Sequence, residues 1–160
     1  MLLSLELFVM LAIANGSPVV VARLFRDRGN WPVDGGRFGP DGRRLLGASK
    51  TWRGLISGSL GCLVFAVWTG FDWLFGALFG LLSLFGDLAS SFIKRRMGLA
   101  SSARALGLDQ LPESLLPMLL AWYWIPLPLG QAIAIGILFA LANVVFSPLL
   151  YRLGIRRQPH

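Results

Sequence analysis

Residues 73–93, WLFGALFGLLSLFGDLASSFI, form a continuous apolar stretch with a single charged side chain, Asp87. A helix that crosses the hydrocarbon of a bilayer needs about 20 mainly apolar residues, and this stretch has that length. Three basic residues follow it immediately, at positions 94–96. The stretch therefore predicts a transmembrane helix whose C-terminal end lies at a membrane surface.

The composition of the whole chain is that of a membrane protein. Of its 160 residues, 55% are hydrophobic and 14% are charged, whereas a soluble domain has about 25% charged residues. The apolar content excludes intrinsic disorder, and the lone Cys62 excludes a disulfide scaffold. A net charge of +7 also suits a nucleic-acid-binding protein, but the hydropathy favours the bilayer, so we expect no nucleic-acid partner.

Four more apolar runs flank the central stretch. We expect an all-α, polytopic membrane protein with one transmembrane domain over residues 1–160 and five transmembrane helices, at about 2–24, 54–70, 73–93, 111–127 and 129–153. The second and fourth runs are short for a membrane span, so we expect them to borrow flanking residues or to pack inside the bundle. Residues 26–53 and 94–110 are then two loops.

The basic residues orient this topology. All 15 Lys and Arg side chains fall on one side of a five-pass arrangement. Cytoplasmic loops carry the excess of Lys and Arg, so the pattern predicts an outside N-terminus, two cytoplasmic loops, a cytoplasmic C-terminus and a multi-pass protein of the cytoplasmic membrane. The alternative for the first run is a signal peptide cleaved near Ala12-Ile13-Ala14. Such peptides begin with positive charge, and no basic residue precedes Arg23.

The first loop, residues 26–53, is too long for a simple connection. Loops beyond about 12–15 residues are usually functional or disordered, and this one combines many glycines and basic residues with Asp34 and Asp41. Glycine allows the backbone to approach a ligand closely, so the composition suits phosphate and metal chemistry. A basic juxtamembrane segment attracted to anionic lipid has the same charge, and charge alone leaves both readings open.

Asp87 is the acidic residue that most needs an explanation. It lies six residues before the end of the apolar stretch at residue 93, which is about 9 Å along a helix. Carboxylates at such depth usually face a polar interior and mark a functional site. At about 100° per residue, Asp87, Ser90, Ser91 and Lys94 share one polar face. A structural pair between Asp87 and Lys94, or a bond from Asp87 to a neighbouring helix, is the alternative.

The residue types limit the chemistry. The only histidine is the terminal His160 and the only cysteine is Cys62, so neither a His/Cys metal centre nor a Ser-His-Asp or Cys-His nucleophile system can form. Any reaction would depend on carboxylates, basic side chains and a hard cation. Mg²⁺ commonly binds one or two carboxylates together with substrate phosphates.

Several short pieces of the chain resemble a known family. Ser91-Phe92-Ile93-Lys94-Arg95 is similar to the Ser-x-apolar-Lys-Arg core of the phosphatidate cytidylyltransferase motif. More closely, the chain resembles the CDP-archaeol synthase family of the same superfamily, whose members are short five-helix membrane enzymes. The matching pieces keep their order and spacing over most of residues 15–111: Asn15 with Pro18, PVDGGR (32–37), DGRRLLG (41–47), KTWRG (50–54), GDL (86–88), SFIKR (91–95) and LDQL (108–111).

The resemblance implies a reaction and a set of site residues. The family transfers CMP from CTP to a lipid phosphate, with Mg²⁺ as cofactor, and releases pyrophosphate; the lipid here would be like archaetidic or phosphatidic acid. The implied metal ligands are Asp87 and Asp109, and the implied catalytic residues are Asp87, Lys94 and Lys50. The implied substrate-binding residues are Asp34, Arg37, Asp41, Arg43, Lys50, Thr51, Arg53, Ser91, Lys94 and Arg95.

The residues themselves are also compatible with three non-enzymatic functions. The chain could be a transporter of a phosphorylated metabolite, a lipid-binding partner of a phospholipid synthase, or an assembly subunit whose polar residues only pack helices. Transporters often contain inverted repeats, and the five unequal runs show none. Glycine spacings such as Gly76 and Gly80 allow close helix packing, which is compatible with a homodimer.

Overall fold

The computed structural model describes residues 1–26, 28–100 and 105–152, with side chains as far as Ser147. The basic residue Arg104 and the C-terminal tail with Arg156 and Arg157 lie outside the described residues. The described chain forms five helices in sequence: α1 (Leu2–Phe25), α2 (Trp52–Thr69), α3 (Trp73–Arg96), α4 (Leu111–Trp124) and α5 (Leu129–Arg152). Two isolated β-bridges occur, both in the first loop. The predicted all-α, five-helix fold is confirmed.

Four of the helices are long and apolar enough to cross a membrane. They are α1, α2, α3 and the segment Leu129–Ser147 of α5. The fourth helix has 14 residues, which at 1.5 Å per residue gives a length of about 21 Å. It is therefore too short to span the hydrocarbon alone and packs between α3 and α5. The chain is a multi-pass membrane protein.

Three helix ends differ from the sequence-based boundaries by more than one residue. The second helix begins at Trp52 instead of residue 54 because the Thr51 side chain accepts a hydrogen bond from the Gly54 amide, at 3.2 Å, and so caps the helix. The third continues to Arg96, because basic residues in a last turn are favourable beside the negative end of the helix dipole. The fourth ends at Trp124, where Ile125 becomes extended before Pro126.

The third helix is the centre of the bundle, and glycines allow its neighbours to approach. It packs against α1, α2 and α4 around buried side chains such as Phe75, Phe79 and Met118. A Cβ added at Gly76 would lie 2.4 Å from the Cβ of Ala66, and one added at Gly86 would lie 2.3 Å from the carbonyl oxygen of Pro112. The start of α4 therefore rests directly against α3, one residue before Asp87.

We expect Gly86→Ala to destabilise the protein strongly, because the new methyl group would meet the α4 backbone, which cannot rotate away. Overpacking of this kind costs about 1–3 kcal/mol. A thermal unfolding measurement in detergent should show a melting temperature several degrees lower. Gly130→Ala is the matched control, since a Cβ there has no neighbour within 4 Å. Equal melting temperatures for the two variants would contradict the close α3–α4 contact.

Candidate active site

The first loop folds around the buried carboxylate of Asp34. Its Oδ1 accepts hydrogen bonds from the Gly36 amide at 3.0 Å and from Arg44 Nη2 at 3.1 Å. Its Oδ2 accepts from the amides of Leu46 at 3.1 Å and Gly47 at 3.0 Å. The side chain of Asp34 is fully buried. Asp34, predicted to contact substrate, is in this structure the residue that shapes the loop.

These bonds also set the charge state of Asp34. Burial acts to raise its pKa, but hydrogen bonds from the amides of Gly47, Gly36 and Leu46 and from the Arg44 side chain outweigh it and lower the pKa to about 2. A carboxyl group whose pKa is lowered by folding stabilises the folded state above its ordinary pKa. That stabilisation disappears only as the pH falls from about 4 towards 2.

The two ends of the first loop pair beside the start of α2, and its middle forms a hairpin. The Val33 amide donates to the Lys50 carbonyl at 2.8 Å, and the Leu45 amide donates to the Arg37 carbonyl at 3.0 Å. The tip of this hairpin is fastened to the end of α3. There Arg96 donates to the Asp41 carboxylate at 2.5 Å and to the Arg44 carbonyl at 2.9 Å.

The folded first loop places the ammonium group of Lys50 against the carboxylate of Asp87. Its Nζ lies 2.7 Å from Oδ1 and 2.6 Å from Oδ2 of Asp87, and both side chains are partly exposed, at 21% and 30%. The ion pair between Asp87 and Lys94, which their spacing on α3 suggested, does not form. The partner instead comes from the first loop, one residue before the Thr51 cap of α2.

Lys94 forms a second pair with the second loop. Its Nζ lies 2.8 Å from Asp109 Oδ1, and Asp109 Oδ2 accepts a hydrogen bond from the Ala105 amide at 3.0 Å. The ammonium group of Lys94 is mostly buried, at 11% exposure of its side chain. Two lysine–aspartate pairs therefore lie at the end of the bundle where α3 finishes and α2 and α4 begin.

The remaining predicted site residues divide into two groups. Arg53 Nη1 donates to the carbonyls of Arg26 and Arg28, and Arg95 Nη2 donates to the Ala100 carbonyl at 2.5 Å. Arg43 Nη1 donates to the Arg96 carbonyl at 3.2 Å. These side chains, like Thr51 and Asp41, bond to the protein itself; Ser91 is half-buried and Arg37 is exposed.

Sequence reasoning missed three polar residues near this end. Arg44 and Arg96 hold the first loop, and Glu113 is a buried acid whose Oε1 accepts a hydrogen bond from Asn143 Nδ2 at 2.7 Å. Arg96 ends the basic run 94–96, and such a run suggests a contact with an acidic residue of a neighbouring loop, which here is Asp41. Glu113 stands at the start of an apolar run, and only its burial in the folded protein distinguishes it from an ordinary helix-terminal acid.

The donor chemistry of the two pairs fits a hard cation. Asp87 and Asp109 supply carboxylate oxygens, which Mg²⁺ binds together with phosphate oxygens and water. Within residues 1–26, 28–100 and 105–152, three or more acidic, histidine or cysteine side chains do not converge on one metal position. A cation here would therefore need oxygens from a bound phosphate to complete its coordination.

The fold and the site define a small polytopic membrane protein with a paired lysine–aspartate centre at one end of its helix bundle. The family model described as CarS-like: CDP-archaeol synthase matches residues 1–160. The chain belongs to this family, which confirms the resemblance seen in the motifs.

Individual members of the family are similar in sequence to this chain along nearly its whole length. CDP-archaeol synthase of Thermococcus onnurineus (strain NA1) is 35% identical, with 91% of this chain and 89% of the relative covered. The protein of the same name from Thermococcus kodakarensis is 37% identical, with 91% and 88% covered. A solved structure, described as an intramembrane enzyme for archaeal membrane lipids biosynthesis, superposes with a TM-score of 0.69 at 32% identity, covering 91% of this chain and 92% of its own.

We expect Asp34→Asn to loosen the first loop, because an amide replaces one of the two accepting oxygens and leaves Arg44 without its counter-charge. Hydrogen–deuterium exchange of residues 33–47 should accelerate about tenfold, which corresponds to the loss of about 1.4 kcal/mol of local stability, while α3 keeps its protection.

The pH dependence provides a second check on Asp34. Because its pKa is about 2, the wild-type protection factors of this loop, corrected for the intrinsic exchange rate, should be equal at pH 7 and pH 5. Loss of protection between those values would mean that another group holds the loop together.

Proposed function

We propose that this chain transfers CMP from CTP to a membrane lipid phosphate. A phosphate oxygen of the lipid forms a bond to the α-phosphorus of CTP, the bond from that phosphorus to the bridging oxygen of the β-phosphate breaks, and pyrophosphate leaves. Membership of the family supports this reaction, as do the relatives named CDP-archaeol synthase. The observation that carries it is the presence of the Lys50–Asp87 and Lys94–Asp109 pairs at the same end of the bundle, where α3 finishes and α2 and α4 begin.

The reaction needs such a charge arrangement because both reactants are polyanions. A lipid phosphate can approach a triphosphate only where positive charge offsets their repulsion, and most of the catalysis of phosphoryl transfer consists of positioning and electrostatic stabilisation. Lys50 and Lys94 bring two ammonium groups from different loops to one end of α3. Both are partly shielded from water, which strengthens their interaction with phosphate.

We further propose that Mg²⁺ is the cofactor and that Asp87 and Asp109 would hold it. The bound cation would offset the negative charge of the triphosphate. Each of these carboxylates is paired with a lysine in the structure. A triphosphate gives the lysine another anionic partner, so nucleotide binding would free a carboxylate oxygen for the cation. Nucleotide and metal should therefore bind cooperatively.

The other site residues would support this centre in two ways. Asp34 and Asp41 accept hydrogen bonds within the loop, and Thr51 caps the start of α2. Arg43 donates to the Arg96 carbonyl at the end of α3. We propose that these four residues position Lys50. Arg37 is exposed and suits direct contact with a phosphate. Direct contacts from Arg53, Ser91 and Arg95 stay predictions.

The location of the reaction follows from the charge distribution. CTP is a cytosolic solute. The described basic side chains that form hydrogen bonds or ion pairs lie where α1 and α3 end and α2 and α4 begin. We propose that this end faces the cytosol at the cytoplasmic membrane, in accord with the excess of basic residues expected there. The lipid would be like archaetidic or phosphatidic acid.

We expect purified protein in lipid nanodiscs to release pyrophosphate from CTP when Mg²⁺ and a lipid phosphate are present, and EDTA to stop the release. Asp87→Asn should lower the rate about 100-fold or more, a loss typical of removing one group that stabilises transition-state charge.

Asp72→Asn is the matched control for that experiment. Asp72 caps α3 at its other end, and asparagine is an equally good N-cap, so this variant should keep wild-type activity. An Asp87→Asn variant as active as Asp72→Asn would contradict the assigned site. A wild type that is silent with both archaetidic and phosphatidic acid would contradict the reaction.

Lys50→Met tests the proposed exchange of partners independently of turnover. Without nucleotide, Mn²⁺ should bind Asp87 more tightly in this variant, by about fivefold, because a partly exposed ion pair is worth about 1 kcal/mol. The affinity for CTP should fall. Binding titrations followed by electron paramagnetic resonance of Mn²⁺ would measure the first effect, and unchanged Mn²⁺ affinity would contradict the exchange.

A further inference from the structure

An exposed aromatic and basic patch lies at the start of the first loop, and the proposed reaction does not use it. The side chain of Trp31 is 74% exposed, and those of Phe25 and Trp52 are 55% and 52% exposed. Arg26 and Arg28, which lie between Phe25 and Trp31 in the chain, are exposed as well. Apolar surface of this kind, bordered by charge, is typical of a contact with a partner or a membrane.

Hydrogen bonds bring the five residues of this patch together. The Trp52 amide donates to the Trp31 carbonyl at 3.0 Å, which joins the loop to the first residue of α2. Arg53 Nη1 donates to the carbonyls of Arg26 and Arg28, which holds the end of α1 at the same place. The patch is therefore a single surface built from the end of α1, the start of the loop and the start of α2.

The patch continues the membrane-facing side of α2. At about 100° per residue, Ile56, Leu60 and Val64 lie within about 120° of Trp52 around the helix, and each of them is more than half exposed. Because α2 is long and apolar enough to cross a membrane, this uncovered side faces hydrocarbon. Trp52 stands at the end of that side, where the aromatic residues of membrane proteins meet the headgroups.

The six tryptophans of the chain form two groups at opposite ends of the bundle. Two of them belong to the patch, and the other four lie where α2 and α4 end and α3 begins: Trp68, Trp73, Trp122 and Trp124. Trp52 and Trp68 are 16 residues apart on α2, which is about 24 Å along the helix. This distance is comparable with a hydrocarbon core of about 30 Å, as two interfacial aromatic belts require.

The patch is attached to the backbone that carries Lys50. The Val33 amide donates to the Lys50 carbonyl at 2.8 Å, next to the bond between the two tryptophans. Residues 31–33 and 50–52 therefore form a short antiparallel ribbon. A contact that fixes the tryptophans at one end of this ribbon also fixes the backbone of Lys50, and with it the ion pair to Asp87.

We infer that this patch lies in the headgroup region of the leaflet at the loop end of the bundle and binds anionic phospholipids there. Its aromatic rings occupy the interface, and Arg26 and Arg28 attract the anionic headgroups of that surface. These lipids belong to the surrounding bilayer and are not the substrate. The bilayer thereby positions the ribbon of Lys50. The basic charge of the first loop thus serves two purposes, with lipid contact at its start and the proposed phosphate chemistry at Lys50.

The hairpin tip provides a control position for a measurement of depth. A Cβ added at Gly58 of α2 would lie 2.8 Å from Leu84 of α3, so the start of α2 is level with about residue 90 of α3. The tip bonds to Arg96 through Asp41, about 9 Å further along α3. Pro40, which is exposed at this tip, therefore lies further from the hydrocarbon than the patch does.

Electron paramagnetic resonance tests the depth of the patch in nanodiscs. Asn30→Cys, in a Cys62→Ala background, carries a nitroxide label beside Trp31, and Pro40→Cys carries the same label at the hairpin tip. Power saturation should show the label at position 30 shielded from a water-soluble nickel chelate at least about threefold more than the label at position 40. Equal access of the chelate to both labels would overturn the inference.

Hydrogen–deuterium exchange tests the binding of anionic lipid and its effect on the ribbon. In phosphatidylcholine nanodiscs, about 30% phosphatidylglycerol should slow the exchange of residues 31–33 and 50–52 at least about fivefold. Arg26→Gln combined with Arg28→Gln should remove most of this effect. An anionic surface also lowers the pH beside it, but it does so for the wild type and the variant alike. Equal slowing in both proteins would therefore overturn the inference.

Two exposed tryptophans at opposite ends of α2 give a matched pair of variants. Trp31→Ser should speed the exchange of the ribbon in the anionic nanodiscs at least about threefold, whereas Trp68→Ser, at a residue that is 79% exposed, should leave it unchanged. Equal exchange in the two variants would contradict the anchoring role. None of these measurements needs turnover, so a protein that releases no pyrophosphate would overturn the proposed reaction and not the membrane contact.

Discussion

The ion pair between Lys50 and Asp87 is the interaction on which the rest of this end of the protein depends. A carboxylate inside a transmembrane segment is costly unless a counter-charge or water meets it. The bidentate contact of Lys50, at 2.6 and 2.7 Å, supplies that counter-charge. Because Lys50 lies outside the helices, the first loop must hold a definite shape to deliver it. The Asp34 hydrogen bonds, the Thr51 cap and the Arg96 contacts all meet that requirement.

Much of the fold could be predicted because hydropathy and length are local properties. The apolar runs identify the helices, and the charge near the end of the 73–93 run identifies Asp87 as exceptional. The ends of α2, α3 and α4 differ by a few residues from the prediction, since a capping hydroxyl, the helix dipole and a turn before Pro126 set them. Such effects involve single groups that a hydropathy pattern averages out.

The pairing within the site could not be predicted, because it depends on tertiary structure. The spacing on α3 suggests a pair between Asp87 and Lys94, but each bonds to a different loop. The same limit applies to the acidic residues of the first loop. Asp34 is indistinguishable in sequence from a substrate-binding acid, and its role as the loop's central acceptor follows only from four bonds that converge on it.

The third helix separates two environments that the proposed reaction must join. One of its faces carries Asp87 and Lys94 towards the two loops, while another leaves the apolar Phe85 and Phe92 side chains exposed outside the bundle. The first loop contacts both, through Lys50 on one face and through the Arg96 contacts on the other. A rearrangement of this loop therefore moves the Lys50–Asp87 pair together with the contacts at the end of α3.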